Sequence, residues 1–317
     1  MRQIITSAVV WIAACVIMVL WLGAGKPSAV VGLFLVSGLA VGSLYALGGI
    51  GLVVLYRATG VLNLAAGAIG MAGVMFAWQA VQWGWPQPVA WIAGLALSVG
   101  LALGYGRGVA PRMEWREPVV KAVATLGFAL VILGVVSFLF SDDPRKFALP
   151  TDKSAVMILG LRVTVTRLIV IALSVFLVVA ISIALNRTRI GLQMRALANN
   201  RRLSALIGIP ILRVETVAWG VAGLLFGLTG FFFGDLVRLE PAVITFLVIP
   251  CVAAAIAGRL ESLPDVLMGG LTMGVIESLL TLSPQLKNVR PVAPFVIAAL
   301  VLLAMNWRRR ISITGEE

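Results

Sequence analysis

Residues Leu168–Leu185 read LIVIALSVFLVVAISIAL, with no charged side chain and only Ser174 and Ser182 as polar ones. A run of this length is what an α-helix needs to cross a hydrocarbon core of about 30 Å. In lipid each segment must satisfy its own backbone amides, so the run is a helix. A membrane β-barrel needs apolar/polar alternation over segments of about 10 residues, and that alternation is absent. Working outward, comparable runs give about ten spans: 4–24, 30–56, 61–82, 88–106, 118–140, 166–185, 214–234, 242–257, 265–282 and 292–306. The expected fold class is all-α: a polytopic transmembrane helical bundle forming one domain over residues 1–317.

The totals agree. Of 317 residues 61% are hydrophobic and 12% charged, against about 25% charged in an ordinary soluble domain. The net charge of +12 comes from bases that flank apolar runs, a pattern of anchoring and orientation rather than of nucleic-acid binding. With no histidine in the chain, a zinc or other metal site is not expected. Cys15 and Cys251 both fall inside spans and read as small buried packing groups.

Counting Lys and Arg on alternate sides places sixteen on one and nine on the other. The richer side is expected to be cytoplasmic, with both termini there and the chain in a bacterial inner membrane. Two connections are long. The outer one, 141–165, can reach a soluble partner, and the inner one, 186–213, is strongly basic. Asn186–Ala198 reads as a basic amphipathic helix, with Leu192, Ala196, Leu203, Leu206 and Ile207 available as an apolar face, and Gly208 and Pro210 stop it. Such a loop suits either lipid headgroups or a partner protein.

The seventh span carries Gly220, Gly223, Gly227, Gly230 and Gly234, spaced 3, 4, 3 and 4. All five share one helix face, where small residues let another helix come close. Gly38 with Gly42 and Gly270 with Gly274 repeat the device. The breaks Arg57–Gly60 and Asp235–Pro241 occupy similar places in the two halves, so spans two to five and seven to ten can form an inverted repeat. Polar residues in apolar runs mark a path or a partner. Here they are Ser43, Tyr45, Asn63 beside the glycine-punctuated start at Gly67, and Glu277. Hydrogen-bonded packing is the plain alternative for the hydroxyls; Asn63 can cap a half-helix and Glu277 can pair with an arginine.

Several of these pieces together resemble the permeases of branched-chain amino-acid ABC transporters, the Liv type. The pattern Thr-x-x-Gly-x-x-x-Arg-Ala then Ala-x-x-x-Gly-Ile is met, with one residue's slack, by Thr188, Gly191, Arg195, Ala196, Ala205, Gly208 and Ile209. Further matches are Gly42–Leu47 followed by Thr59–Ala65, the span Gly223–Gly230, and Gly258–Pro264 followed by Gly269, Gly270 and Glu277. The resemblance covers about residues 30–306 and implies that loop 186–213 docks on an ATPase subunit. It also implies two ATPases, a companion permease and a soluble extracytoplasmic binding protein. The family's Asn-Phe-Ala-His-Gly-Glu stands here as Asn63–Ala68 without the imidazole and the carboxylate, and Asp265 replaces a glycine.

No phosphate-binding Gly-x-x-x-x-Gly-Lys-[Ser/Thr] loop occurs, so ATP is expected to be hydrolysed by another chain. No cofactor and no enzymatic activity are expected of this one. The cargo expected is a branched-chain amino acid or a related small polar solute such as urea or an amide. The alternative is a self-contained ion-coupled secondary transporter, for which Glu277 would be the only carboxylate well inside a run.

Overall fold

The computed structural model describes residues 11–299 except 12, 14, 22, 24–25, 142, 146, 159, 238, 284, 286–291, 294, 297–298. Expected spans 4–24 and 292–306 lie partly outside these residues. The rest is an all-α bundle. Among the described residues, six helices are long and apolar enough to cross a membrane: α1 (Ser28–Thr59), α3 (Gln87–Gly108), α4 (Pro118–Phe140), α5 (Val165–Arg187), α8 (Ile211–Leu236) and α11 (Leu263–Leu280). Between them lie α2 (Ala66–Gln82), the short α6 (Arg189–Asn199) and α7 (Arg201–Leu206), and the pair α9 (Pro241–Phe246) and α10 (Val248–Ala257).

Two expected spans differ in detail. Span 61–82 begins as a helix only at Ala66, because Gly60 ends α1 in the left-handed region (φ 72°) and Val61–Asn63 run on as irregular chain before a turn at Leu64 and Ala65. Span 242–257 is two helices that meet at Leu247. The connection 141–165, expected on the outer side, also holds more than loop: a hairpin pairs β1 (Ala155–Ile158) with β2 (Leu161–Thr164), Val156 opposite Val163. Its strands of four residues are too short for their alternation to stand out in the sequence.

α1 is the axis of the bundle, with every residue from Gly42 to Leu55 buried. A helix apolar all round is one that proteins bury on every side. α4 by contrast buries only Thr125, Ala129, Ile132 and Val136, a stripe at spacings 4, 3 and 4, and leaves Val131, Phe138 and Leu139 more than 60% exposed. That outward surface suits lipid or a second helical subunit. At the hairpin end Trp83 and Trp85 are exposed and meet the Phe76 ring edge-on at 6.3 and 6.4 Å, as interfacial aromatics do.

Glycines set the closest seams. A Cβ on Gly42 would lie 2.5 Å from the Gly270 oxygen, and one on Gly38 would lie 2.7 Å from the Val275 Cα, so α1 and α11 meet backbone to backbone. Along α8, Gly223 and Gly227 receive α3 at Ala102 and Ser98, and Gly230 meets Gly70 of α2. Gly220 and Gly234 on the same face have looser neighbours, at 3.7 and 3.4 Å.

α2 starts deep in the bundle. Its Gly67 abuts the Ile244 and Thr245 carbonyls at the end of α9, and the same small void is lined by Gly48 of α1. Gly48 lies 11 residues before Thr59, which at 1.5 Å per residue is about 16 Å inside the end of α1. Two interrupted segments therefore meet in the interior.

Gly42→Val is expected to cost about 2–3 kcal/mol through overpacking and to lower the thermal unfolding midpoint of the purified protein. Gly100→Val, where nothing lies within 4 Å, should leave the midpoint in place. Equal midpoints for the two variants would show that the α1–α11 seam does not hold the fold.

Candidate functional site

The connection 186–213 folds as two capped helices laid across one end of the bundle. Thr188 Oγ1 accepts the Gly191 N–H at 3.1 Å and starts α6, while Asn200 Oδ1 accepts the Leu203 N–H at 3.0 Å and starts α7. Both are N-caps that satisfy amides a helix leaves unpaired. Gly191, Met194 and Leu197 are buried toward the bundle, and a Cβ on Gly191 would run into the Leu185 backbone. The outward side carries Leu192, Leu203, Leu206 and Ile207, all more than half exposed. Of the residues in the family pattern, Thr188, Arg195, Ala205 and Gly208 are exposed, Ala196 and Ile209 half-buried, and Gly191 is buried. Gly208 turns the chain in the left-handed region (φ 82°) after α7.

Arg201 ties this element down. Its guanidinium forms a salt bridge with Glu114 at 3.1 Å, in the link between α3 and α4, and another with Glu215 in the first turns of α8. Burial opposes its charge, but the hydrogen bonds and charges of Glu215 and Glu114 outweigh that and raise its pKa above the ordinary arginine value. Arg201 therefore stays protonated at any physiological pH. Beside the triad lies a cavity of about 260 Å³, whose walls include Asn63, Lys121, Thr125 and Trp219 as well as the three charged residues.

The five residues expected along a path do not form one constellation. Asn63 borders the 260 Å³ cavity, and its Oδ1 accepts the Ala65 N–H at 2.9 Å just before α2. Gly67 lines the small interior void. Ser43 is buried and donates to the Leu39 carbonyl oxygen at 2.7 Å, a bond internal to its helix. Tyr45 donates to Glu277 Oε2 at 2.5 Å. Glu277 also lines a second cavity, of about 330 Å³, at the hairpin end with Arg167, Ser37 and Ser278.

The hairpin end is strapped. Arg145 and Leu239 exchange backbone hydrogen bonds at 3.0 and 3.2 Å, and the Arg145 guanidinium stacks 4.5 Å above the Trp78 ring. Asp235 Oδ1 accepts the Leu149 N–H at 2.8 Å. The chain after α4 is thereby bound to the break between α8 and α9.

A family model described as the branched-chain amino acid transport system / permease component matches residues 34–305. The chain belongs to this family. Among curated relatives, it is 26% identical to the high-affinity branched-chain amino acid transport system permease protein LivH of Salmonella typhimurium, over 85% of this chain and 92% of that one. LivH of Escherichia coli K12 is 25% identical over the same shares. The permease protein BraD of Pseudomonas aeruginosa is 24% identical over 77% of this chain and 84% of its own.

Sequence reasoning found the basic element but not what holds it. Glu114 and Glu215 lie 87 and 14 residues from Arg201, and neither is in register with it along a helix. The available signal was scarcity: with 13 acids against 25 bases, an acid at the edge of an apolar run has a cation near. Arg201→Ala strands Glu215, whose side chain is 10% exposed. After screening at the partly open side, the expected loss is about 1–3 kcal/mol. Adding Glu215→Gln should recover part of the lost unfolding midpoint; no recovery would mean that the bridge is not what Arg201 contributes.

Proposed function

We propose that this chain is the membrane-spanning permease subunit of an ATP-driven importer for branched-chain amino acids or related small polar solutes. Family membership over most of the chain supports this, and the observation that carries it is the α6–α7 element. It is a rigid, doubly capped pair of helices with an outward apolar face, tied through Arg201 to the α3–α4 link and to α8. Such a part can take a push from outside and pass it into two helices, which is what a permease without its own energy source requires.

In this reading ATP is hydrolysed by two partner ATPases, one of them seated on Leu192, Leu203, Leu206 and Ile207 of this chain, with Thr188, Gly191, Arg195, Ala196, Ala205, Gly208 and Ile209 shaping the contact. A soluble binding protein delivers cargo at the hairpin end, and a second permease covers the exposed surface of α4. The protein is multi-pass in a bacterial inner membrane, with both termini cytoplasmic because the basic α6–α7 end faces in. Ten spans in two inverted halves fit the paired interruptions before α2 and before α9. Ser43, Tyr45, Asn63, Gly67 and Glu277 would then border successive depths of the translocation path. The chain itself needs no cofactor and catalyses nothing.

Uptake in cells should depend on a co-expressed cognate ATPase and persist when ion gradients are collapsed. Arg195→Glu, Arg201→Glu or Gly191→Leu should cut uptake at least about tenfold while membrane insertion continues. Normal uptake by all three variants would remove the docking assignment, and gradient-driven uptake without any ATPase would remove the importer reading altogether.

A further inference from the structure

The 260 Å³ cavity beside α7 lies between the start of α4, which lends Lys121 and Thr125, and the start of α8, which lends Leu212, Glu215 and Trp219. Two donors on its walls have no acceptor among the described residues. They are Asn63 Nδ2, on a residue 2% exposed, and Trp219 Nε1, on one 4% exposed. Buried polar atoms without a partner are rare, because each has given up its hydrogen bond to water. Both are held in place. Asn63 Oδ1 accepts the Ala65 N–H at 2.9 Å, which fixes the side-chain amide and turns Nδ2 away from that bond. The indole lies 5.2 Å from the Tyr105 ring, and a Cβ on Gly106 would run into it.

The other polar groups of the wall divide cleanly. Thr59 and Thr125 are already engaged: each hydroxyl donates to a carbonyl oxygen of its own helix and accepts a backbone N–H. Lys121 gives one N–H to the Glu114 carbonyl oxygen at 2.7 Å, which leaves two more on its ammonium. Arg201 engages Glu114 and Glu215 through their Oε1 atoms, so each carboxylate keeps Oε2 to offer. Lys121 and Arg201 balance the two glutamates, and the ionised wall is neutral as a whole. A ligand carrying a single net charge would upset that balance. One with an acceptor group and a cationic N–H group would keep it and satisfy both sides.

The setting says where such a ligand comes from. Lys121 is three residues into α4 and Tyr105 three residues before the end of α3, about 5 Å inside the bundle at 1.5 Å per residue. The link that carries Glu114 also carries Trp115, 84% exposed, and the exposed Arg112 and Arg116. Aromatic and basic side chains so placed mark a headgroup layer. On either flank of the cavity apolar side chains stand open, Leu212 on α8 and Val119 and Val120 in the first turn of α4.

The geometry points to a headgroup site for a zwitterionic phospholipid whose cation keeps its N–H donors, that is, a phosphoethanolamine headgroup. Its phosphate is received by Asn63, Trp219 and Lys121, and its ammonium by the Oε2 atoms of Glu114 and Glu215. The acyl chains leave over Leu212 and the first turn of α4. A volume just below the roughly 300–1,000 Å³ of sites for drug-sized ligands takes the headgroup and leaves the chains outside. Of the residues assigned to the path above, the cavity holds only Asn63, so the site lies beside that path and stands without the importer reading.

The test is native mass spectrometry of the full-length chain, purified in mild detergent, delipidated and titrated with dioleoyl lipids. One phosphatidylethanolamine adduct should survive collision energies that strip phosphatidylcholine and phosphatidylglycerol. The first of these keeps the cation without its N–H groups, and the second has no cation. Trp219→Phe and Lys121→Gln should each weaken the adduct about ten- to a hundredfold, the usual effect of removing a hydrogen bond to a charged group. Because Trp219 is part of the core, the half-buried Lys121 carries a second readout. Added phosphatidylethanolamine should raise the thermal unfolding midpoint of the unaltered chain and leave that of Lys121→Gln in place. Soluble glycerophosphoethanolamine, the same headgroup without chains, should not displace the lipid at equal concentration, and neither should L-leucine. Displacement by either overturns the assignment to a lipid. No retained lipid, equal retention of the three lipids, or an adduct that both variants keep at full strength overturns the site.

Discussion

Backbone-to-backbone approach is the constraint on which the rest of the bundle depends. In lipid, helices gain nothing by hiding apolar side chains from water, so association rests on contact. Dispersion fades within an ångström of extra separation, and Gly38 and Gly42 of α1 against Gly270 and Gly274 of α11 bring the two main chains as near as they can come. The Tyr45–Glu277 hydrogen bond lies in the same seam, and it supplies in the interior what water supplies elsewhere. α8 repeats the arrangement toward α3 and α2 through Gly223, Gly227 and Gly230. A central unit of α1, α2, α3, α8 and α11 results, and moving any one of them means breaking contact with another.

Motion must then be carried by what is less tightly held. α4 and α5 each bury a single stripe and leave the rest of their surface free of the bundle. The Arg201 triad joins α7 to the link just before α4 and to the base of α8. A displacement of α7 therefore reaches a loosely packed helix and a tightly packed one together. At the other end the Arg145–Leu239 exchange and the Asp235–Leu149 bond tie the far end of α4 to the break after α8. α4 is thus held at both ends by polar bonds and along its length by little. That is the mechanical profile of a part that tilts.

The helices were legible because lipid leaves the chain no other way to satisfy its amides, and long uncharged runs such as Leu168–Leu185 have one reading. The break after Arg57 was legible too, since Gly60 offers the left-handed turn that ends α1. What hydropathy could not show is depth. Val61–Ala65 are nearly as apolar as a helix, so the late start of α2 at Ala66 leaves no trace in composition. Nor could the pairing of glycine seams be read: the sequence presents three sets of glycines, and only the fold reveals that two of them face each other across α1 and α11. The candidate site was half legible for the same reason. Thr188, Gly191 and Asn200 act locally, through caps and close contact within a few residues, whereas Glu114, Glu215 and Trp219 act across elements and carry no pattern of their own.

The departures from the family pattern also acquire a physical sense. Where that pattern has an imidazole and a carboxylate, this chain has Ala66 and Ala68, both buried at the deep start of α2. Around them Gly67 is pressed against the Thr245 carbonyl, and the Thr245 hydroxyl is already spent on the Pro241 oxygen at 2.8 Å. An ionised side chain placed there would have to be paired or else lose its charge, and the neighbouring void, lined by Gly48, Ile244 and Cys251, offers mainly apolar walls. Alanine keeps this depth neutral. Charged side chains lie instead toward the ends, Glu277 and Arg167 on the hairpin side and the Arg201 cluster on the other. On the importer reading proposed above, a polar cargo crossing such a middle would leave one set of charged groups before it reached the next, so the chain would have to change shape to shorten the step, with energy delivered at α6–α7.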